Sequence, residues 1–195
     1  MNAGVSAQHV VLIGAMGAGK TTVGEICAQR LRRPFVDTDA LVVANAGRSI
    51  KEIFATDGEA AFRTLERSAV ADACAAPIAC VVACGGGAVL DAENRAVMRA
   101  GARVVWLRAE PQALAARLHG DHQRPLLASG DPETTLRRLV ELRTPAYEAA
   151  AHVVVDTDGC APGEIAAAVL DVLNLVDATD EHEAIVGPEV VSGAG

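Results

Sequence analysis

The chain has 195 residues, of which 51% are apolar and only 3% aromatic, and a formal net charge of −8. That length suits one domain with a sizeable aliphatic core, and a composition so rich in small apolar residues suits α/β layering. The acidic balance, without any Lys/Arg block, excludes the footprint of a nucleic-acid binder, and the absence of a basic, apolar leader or of an apolar run near ~18 residues points to a cytoplasmic protein without a membrane span.

Val10 to Ile13 is a short β-branched run that empties into Gly14, which predicts a central strand entering a glycine turn. A helix follows from about Gly19 to Arg32, then a strand from Phe35 to Asp37 and a helix from Ala40 to Ala46 that stops at Gly47. Ser49 and Glu52 form a capping-box pattern for a short helix through Phe54. Asp57-Gly58 breaks it, and Glu59 to Ala75 resumes as helix until Pro77. Ile78 to Cys84 predicts a long strand running into Gly85-Gly86-Gly87. Asp91 caps a helix to Ala100, Arg103 to Leu107 is the fourth strand, and Pro111 opens a helix to Leu118.

His119 to Gly130 is polar and aperiodic between helices, and a loop of that length in a domain is expected to serve as a mobile lid. Thr134 to Leu142 is helical, Thr144-Pro145 restarts a helix, His152 to Asp156 is a fifth strand, and Pro162 to Leu175 is the last helix. The organisation expected is one domain over 1–176 and a disordered acidic tail over 177–195. Strands alternating with helices predict an α/β fold, a five-stranded parallel sheet covered on both faces, with ligands at the carboxyl ends of the strands. The five cysteines, Cys27, Cys74, Cys80, Cys84 and Cys160, contain no C-x-x-C pair and are expected as small buried hydrophobes.

Gly14-Ala15-Met16-Gly17-Ala18-Gly19-Lys20-Thr21 fits G-x-x-x-x-G-K-[ST] in the strand-to-helix context that a phosphate loop requires. Its backbone N–H groups and helix N-terminus suit phosphate oxygens, Lys20 suits the β- and γ-phosphates, and Thr21 suits Mg²⁺. Asp37 and Asp39, by alternation at the end of the second strand, would face one side. On the residues alone they fit a Mg²⁺-shell and acceptor pair as well as they fit a helix N-cap with a solvated neighbour. Arg63, Arg124 and Arg143 would each, alone, pass for solvated charges, and Val153-Val154-Val155-Asp156, a Walker-B-like run on the last strand, for a structural element or a neighbour of the adenine site. His119 and His122 have metal-like spacing but no third ligand, so no zinc is assigned.

Taken in order, the phosphate loop, Asp37-Thr-Asp39, Gly47-Arg-Ser-Ile50, Ile53-Phe-Ala-Thr-Asp-Gly-Glu59, Phe62-Arg63, Gly85-Gly-Gly-Ala-Val89, Arg124-Pro-Leu-Leu127 and Arg143-Thr-Pro-Ala-Tyr147 resemble the shikimate kinases. The resemblance spans about Val10 to Leu173. It implies a P-loop kinase fold with a lid and transfer of the γ-phosphoryl group of ATP, with Mg²⁺, to the 3-hydroxyl of shikimate on the way to chorismate and the aromatic amino acids. It implies catalytic roles for Lys20, Asp39 and Arg124. ATP would be held by Gly17, Ala18, Gly19, Lys20, Thr21, Thr22, Arg117, Arg124 and Pro162, and shikimate by Asp39, Arg63, Gly85, Gly86, Gly87 and Arg143. Thr21, and Asp37 through water, would serve the metal, and a monomer is expected. Thr157-Asp-Gly-Cys-Ala-Pro162 and His119-Gly-Asp-His122 depart from the family's hallmarks. The rivals are another small-metabolite kinase, such as one for gluconate, and a P-loop module that binds nucleotide without turnover.

Overall fold

A computed structural model gives the structure of residues 8–118 and 132–183. The β-branched runs form strands β1 (His9–Ile13), β2 (Phe35–Asp37), β3 (Val81–Ala83), β4 (Ala102–Arg108) and β5 (Val153–Asp156). They pair in one parallel sheet of order β2-β3-β1-β4-β5, with Val11 opposite Val82 on one side and Val104 on the other. Parallel neighbours need long crossovers, which here are the helices α1 (Lys20–Leu31), α2 (Thr38–Ala46), α3 (Ile50–Thr56), α4 (Gly58–Cys74), α5 (Ala92–Gly101), α6 (Pro111–Leu118) and α7 (Pro132–Ala150); α8 (Pro162–Glu183) follows the last strand. Because the chain leaves central β1 for β2 on one side and later reaches β4 on the other, a crevice opens beyond the carboxyl end of β1.

Every residue of β1 is buried, and side-chain alternation divides them between two cores. Val10 and Leu12 pack with Val23, Cys27, Leu114 and Val169 from α1, α6 and α8. Val11 and Ile13 pack with Val70, Met98 and Tyr147 from α4, α5 and α7. Each buried Val or Leu contributes about 1.5–3 kcal/mol, so the sheet is a stable platform for the loops at its edge. A third cluster, Val42, Ile53, Phe62 and Ala69, joins α2, α3 and α4 into a unit beside β2. The capping box of α3 forms as expected, with Glu52 N–H donating to Ser49 Oγ (3.2 Å) and Ser49 N–H to Glu52 Oε2 (2.8 Å). Arg48 pairs with Asp57 across the ends of α3.

Several expectations are corrected. β3 is three residues, not the whole apolar run from Ile78, because only Val81–Ala83 find partners on both β1 and β2; Ile78 is exposed. α7 does not restart at Thr144-Pro145 but runs through it. Proline there removes one donor, yet the Thr144 hydroxyl bonds Val140 O (2.9 Å), and Tyr147 and Ala150 beyond it are buried in the core. Arg143 therefore sits within a helix rather than at its end. α8 continues to Glu183, through residues with no Gly or Pro to stop it. Four cysteines are buried, but Cys160 is exposed. Among the described residues no helix is long and apolar enough to cross a membrane.

Candidate active site

The phosphate loop joins β1 to α1 at the crevice. Gly14 has φ +146°, and a Cβ there would lie 2.4 Å from Leu107 O on β4, so only glycine lets the chain turn this close to the neighbouring strand. Lys20, the first residue of α1, donates to Gly14 O (2.8 Å) and Ala15 O (2.9 Å), which folds its ammonium back over the loop. Gly19 supplies no side-chain cap and the first turn carries no acid, leaving the electropositive helix end to face an anion.

The Thr21 hydroxyl, beside it, donates to Asp37 Oδ2 (3.0 Å). Asp37 ends β2 and caps α2, its Oδ1 accepting from the N–H groups of Asp39 (3.0 Å) and Ala40 (3.2 Å). The two expectations for this pair thus merge: Asp37 is an N-cap and also faces the phosphate loop. Asp39 lies in the first turn of α2, so helical geometry, not strand alternation, brings it to the same side. Both carboxylates line a cleft of about 380 Å³ with Gly17, Lys20, Thr22 and Gly86.

Across the cleft, the triple glycine after β3 meets two arginines. Arg63 on α4 donates through Nη1 to Glu66 Oε2 (2.7 Å) and through Nη2 to Glu59 Oε1 (2.9 Å). A Cβ on Gly87 would come within 2.6 Å of Arg63 Nη1, and one on Gly85 within 2.6 Å of Asp39 Oδ1 and 3.0 Å of Glu66 Oε1. Glu66 is 2% exposed; burial pushes its carboxyl above the ordinary range, against the pull of Arg63, and Asp39 adds to the rise. Arg143 on α7 donates to Gly86 O (3.2 Å).

On the opposite flank Arg117, at the end of α6, donates to Thr157 Oγ1 (3.0 Å), Thr157 O (2.6 Å) and Gly17 O (3.4 Å). It ties the loop after β5 to the phosphate loop. Asp156, the acid of the Walker-B-like run, is held outside this cleft in a two-bonded pair with Arg108 on β4 (2.6 and 2.8 Å).

The shikimate kinase family model matches residues 16–174. The chain belongs to the shikimate kinase family. It is similar to a shikimate kinase of Symbiobacterium thermophilum, with 48% identity covering 85% of this chain and 95% of that one. Its fold superposes on the shikimate kinase of Acinetobacter baumannii solved in complex with shikimate, with a TM-score of 0.84, 35% identity and coverage of 88% and 95%. A gluconokinase of Sinorhizobium meliloti, at TM-score 0.59 and 20% identity over 91% of this chain and 97% of that one, shares the fold alone. As a kinase family it uses ATP.

Against this family, the expected residues fall into three groups. Gly17, Gly19, Lys20, Thr21, Thr22, Asp37, Asp39, Gly85, Gly86 and Arg117 line the cleft, while Arg63, Gly87 and Arg143 border its triple-glycine side. Ala18 is turned away: its methyl is buried and its N–H donates to Ala15 O (3.2 Å). Pro162 opens α8 beyond the cleft wall. Arg124 and the lid His119 to Gly130 lie outside the described residues. Three contributors were given no role by the sequence, although Thr38 and Tyr147 stand within its motifs. Glu66 supports Arg63; Thr38 accepts the Gly85 N–H (3.0 Å); Tyr147 donates to Gly86 O (2.7 Å). Helical spacing behind Arg63 and Arg143 was the available signal for Glu66 and Tyr147.

Proposed function

We propose that the chain transfers the γ-phosphoryl group of ATP to the 3-hydroxyl of shikimate, giving shikimate 3-phosphate, within the residues assigned above. The observation that carries the reading is convergence. A phosphate loop, two carboxylates and a triple glycine flanked by two arginines meet at one crevice, and a nucleotide-binding module without a second substrate would have no use for the latter half.

In this reading Lys20 leaves the carbonyls of Gly14 and Ala15 for the β- and γ-phosphate oxygens, exchanging two neutral acceptors for charged ones. The first turn of α1 steadies the same oxygens. Asp39 accepts the proton of the attacking hydroxyl and aims that oxygen at the γ-phosphorus. Arg63 and Arg143 meet the shikimate carboxylate, and the Gly86–Gly87 backbone approaches the ring. Arg124 reaches the transferring group when the lid closes, and Arg117 and Pro162 flank the adenine. Transfer through a loose transition state asks mostly for positioning and charge.

Thr21 and Asp37 offer hard oxygens 3.0 Å apart, and among the described residues no three His, Cys, Asp or Glu side chains cluster for a metal. That donor set fits Mg²⁺, which keeps several waters and takes phosphate oxygens. Thr21 would ligate it directly and Asp37 through water; the ion supplies neutralisation of charge on the β- and γ-phosphates. The reading further places the enzyme in the cytoplasm as a monomer, and its charge of −8 argues against nucleic-acid partners. The deciding experiment measures ADP release by purified protein with ATP and shikimate, with gluconate, and with neither. Turnover that requires shikimate is expected; equal release with gluconate, or none above background, rejects the assignment.

A further inference from the structure

Three consecutive glycines are the least constrained backbone a chain can offer, yet Gly85 to Gly87 must present a defined surface to the acceptor. Their backbone groups are held by specific partners. The Gly85 N–H is taken by Thr38 Oγ1 (3.0 Å), Gly85 O accepts from Ala88 N–H (3.0 Å), and Gly87 O accepts from Leu90 N–H (3.0 Å). Gly86 O is different: its partners are side chains of α7, the Tyr147 hydroxyl at 2.7 Å and Arg143 Nη1 at 3.2 Å.

A peptide unit is planar and trans, so fixing the Gly86 carbonyl also fixes the Gly87 N–H on the other side of the plane. Arg143 is a poor permanent anchor, because on the reading above its guanidinium also serves the acceptor's carboxylate. Tyr147 is hydrogen-bonded to Arg143 as well, but it carries no charge for a carboxylate. It is 1% exposed, and its ring stacks on Trp106 of β4 with centroids 5.4 Å apart and planes at 18°. Burial pushes its hydroxyl up to about 12, so it remains a donor at every working pH. We infer that Tyr147 is a positioning residue for the acceptor: its hydroxyl holds the Gly86–Gly87 peptide in the substrate-competent orientation and leaves Arg143 free to bind the carboxylate. The inference rests on the proposed acceptor site.

Tyr147→Phe removes the hydroxyl and keeps the stacked ring. Loss of one hydrogen bond of this kind is expected to raise the KM for shikimate about fivefold to tenfold, with the KM for ATP within twofold of wild type. A merely structural tyrosine would lower Tm without this split. An unchanged shikimate KM, an equal rise in both constants, or a loss confined to kcat each overturns the inference, whatever happens to Tm. Arg63→Ala measured alongside separates the two levels. If it raises the shikimate KM while Tyr147→Phe does not, only the positioning role fails; if neither responds, the acceptor site itself is misassigned. Should Tyr147→Phe not fold, the wild type still answers. Tyr147 is the only tyrosine in the chain, so 3-fluorotyrosine labels it alone. Its fluorine resonance is expected to shift on saturation with shikimate and not with a non-hydrolysable ATP analogue; a resonance indifferent to shikimate overturns the inference.

Discussion

The two ends of the cleft are built on different principles. The phosphate end is made of neighbours in sequence: Gly14 to Thr21 supplies its own turn, its own lysine and the start of its own helix, and Lys20 is parked on carbonyls five and six residues behind it. The end proposed for the acceptor is made of strangers. Asp39, Arg63, Gly86 and Arg143 come from α2, α4, the loop after β3 and α7; Glu66 holds Arg63, Tyr147 holds Gly86 O, and Thr38 holds the neighbouring Gly85 N–H. On the proposed reading, backbone donors at a helix end recognise any nucleotide phosphate whereas convergent side chains select one acceptor, so the half that would set specificity is the half that depends on tertiary structure.

That contrast can be broken by mutation, and the largest effect is expected at the phosphate end. Lys20→Ala should lower kcat about 10³-fold through lost charge stabilisation, while Tm stays close to wild type because the side chain is only part-buried and bonds carbonyls of its own loop. Near-normal turnover would remove Lys20 from the chemistry. Asp39→Asn should lower kcat about 10²-fold with ATP affinity little changed; a parallel loss of ATP binding would move Asp39 to the nucleotide half.

Arg63→Ala should raise the KM for shikimate about 30-fold or more, as removal of one partner of a closed charge pair does, and spare that for ATP. It should also change stability with pH. Glu66 already has a raised folded-state pKa, and without Arg63 the opposing pull is gone. A carboxyl raised on folding binds its proton more tightly in the native state, so the variant keeps its stability below the ordinary carboxylate range and loses it as pH rises through the folded value. The Tm gap to wild type should therefore widen from acid toward neutral pH. A gap that is constant or narrows would mean that Glu66 does not depend on Arg63. The smallest effect is expected at Asp156→Asn: its pair with Arg108 is solvent-exposed, so turnover should stay within about twofold and Tm within about 2 °C. A large loss of turnover would restore a Walker-B role to that strand.

Local chemistry made the phosphate loop, the capping box at Ser49 and Glu52, the helix start at Pro111 and the alternation of strands with helices readable from the residues, since each depends on neighbours a few positions apart. The motif order from Asp37 to Arg143 was likewise legible as a family resemblance. The buried run of β1 marked it as a central strand, as it is, but the order of the other strands around it was not legible, because it is set by which buried faces pair. Nor was the continuity of α7 through Pro145, which rests on Tyr147 and Ala150 being held by the core. Whether Asp37 and Asp39 were ligand carboxylates or a cap was undecided in the sequence, because both uses need the same residues; only the approach of Thr21 and Gly85 shows that the cap and the cleft coincide. Glu66 was given no role in the sequence, and Tyr147 stood there only as the end of the Arg143-Thr-Pro-Ala-Tyr147 motif. Their partners, Arg63 and Gly86 O, acquire meaning only once α4, α7 and the glycine loop pack together, since a hydrogen bond selects by distance and direction in space and carries no mark in the chain.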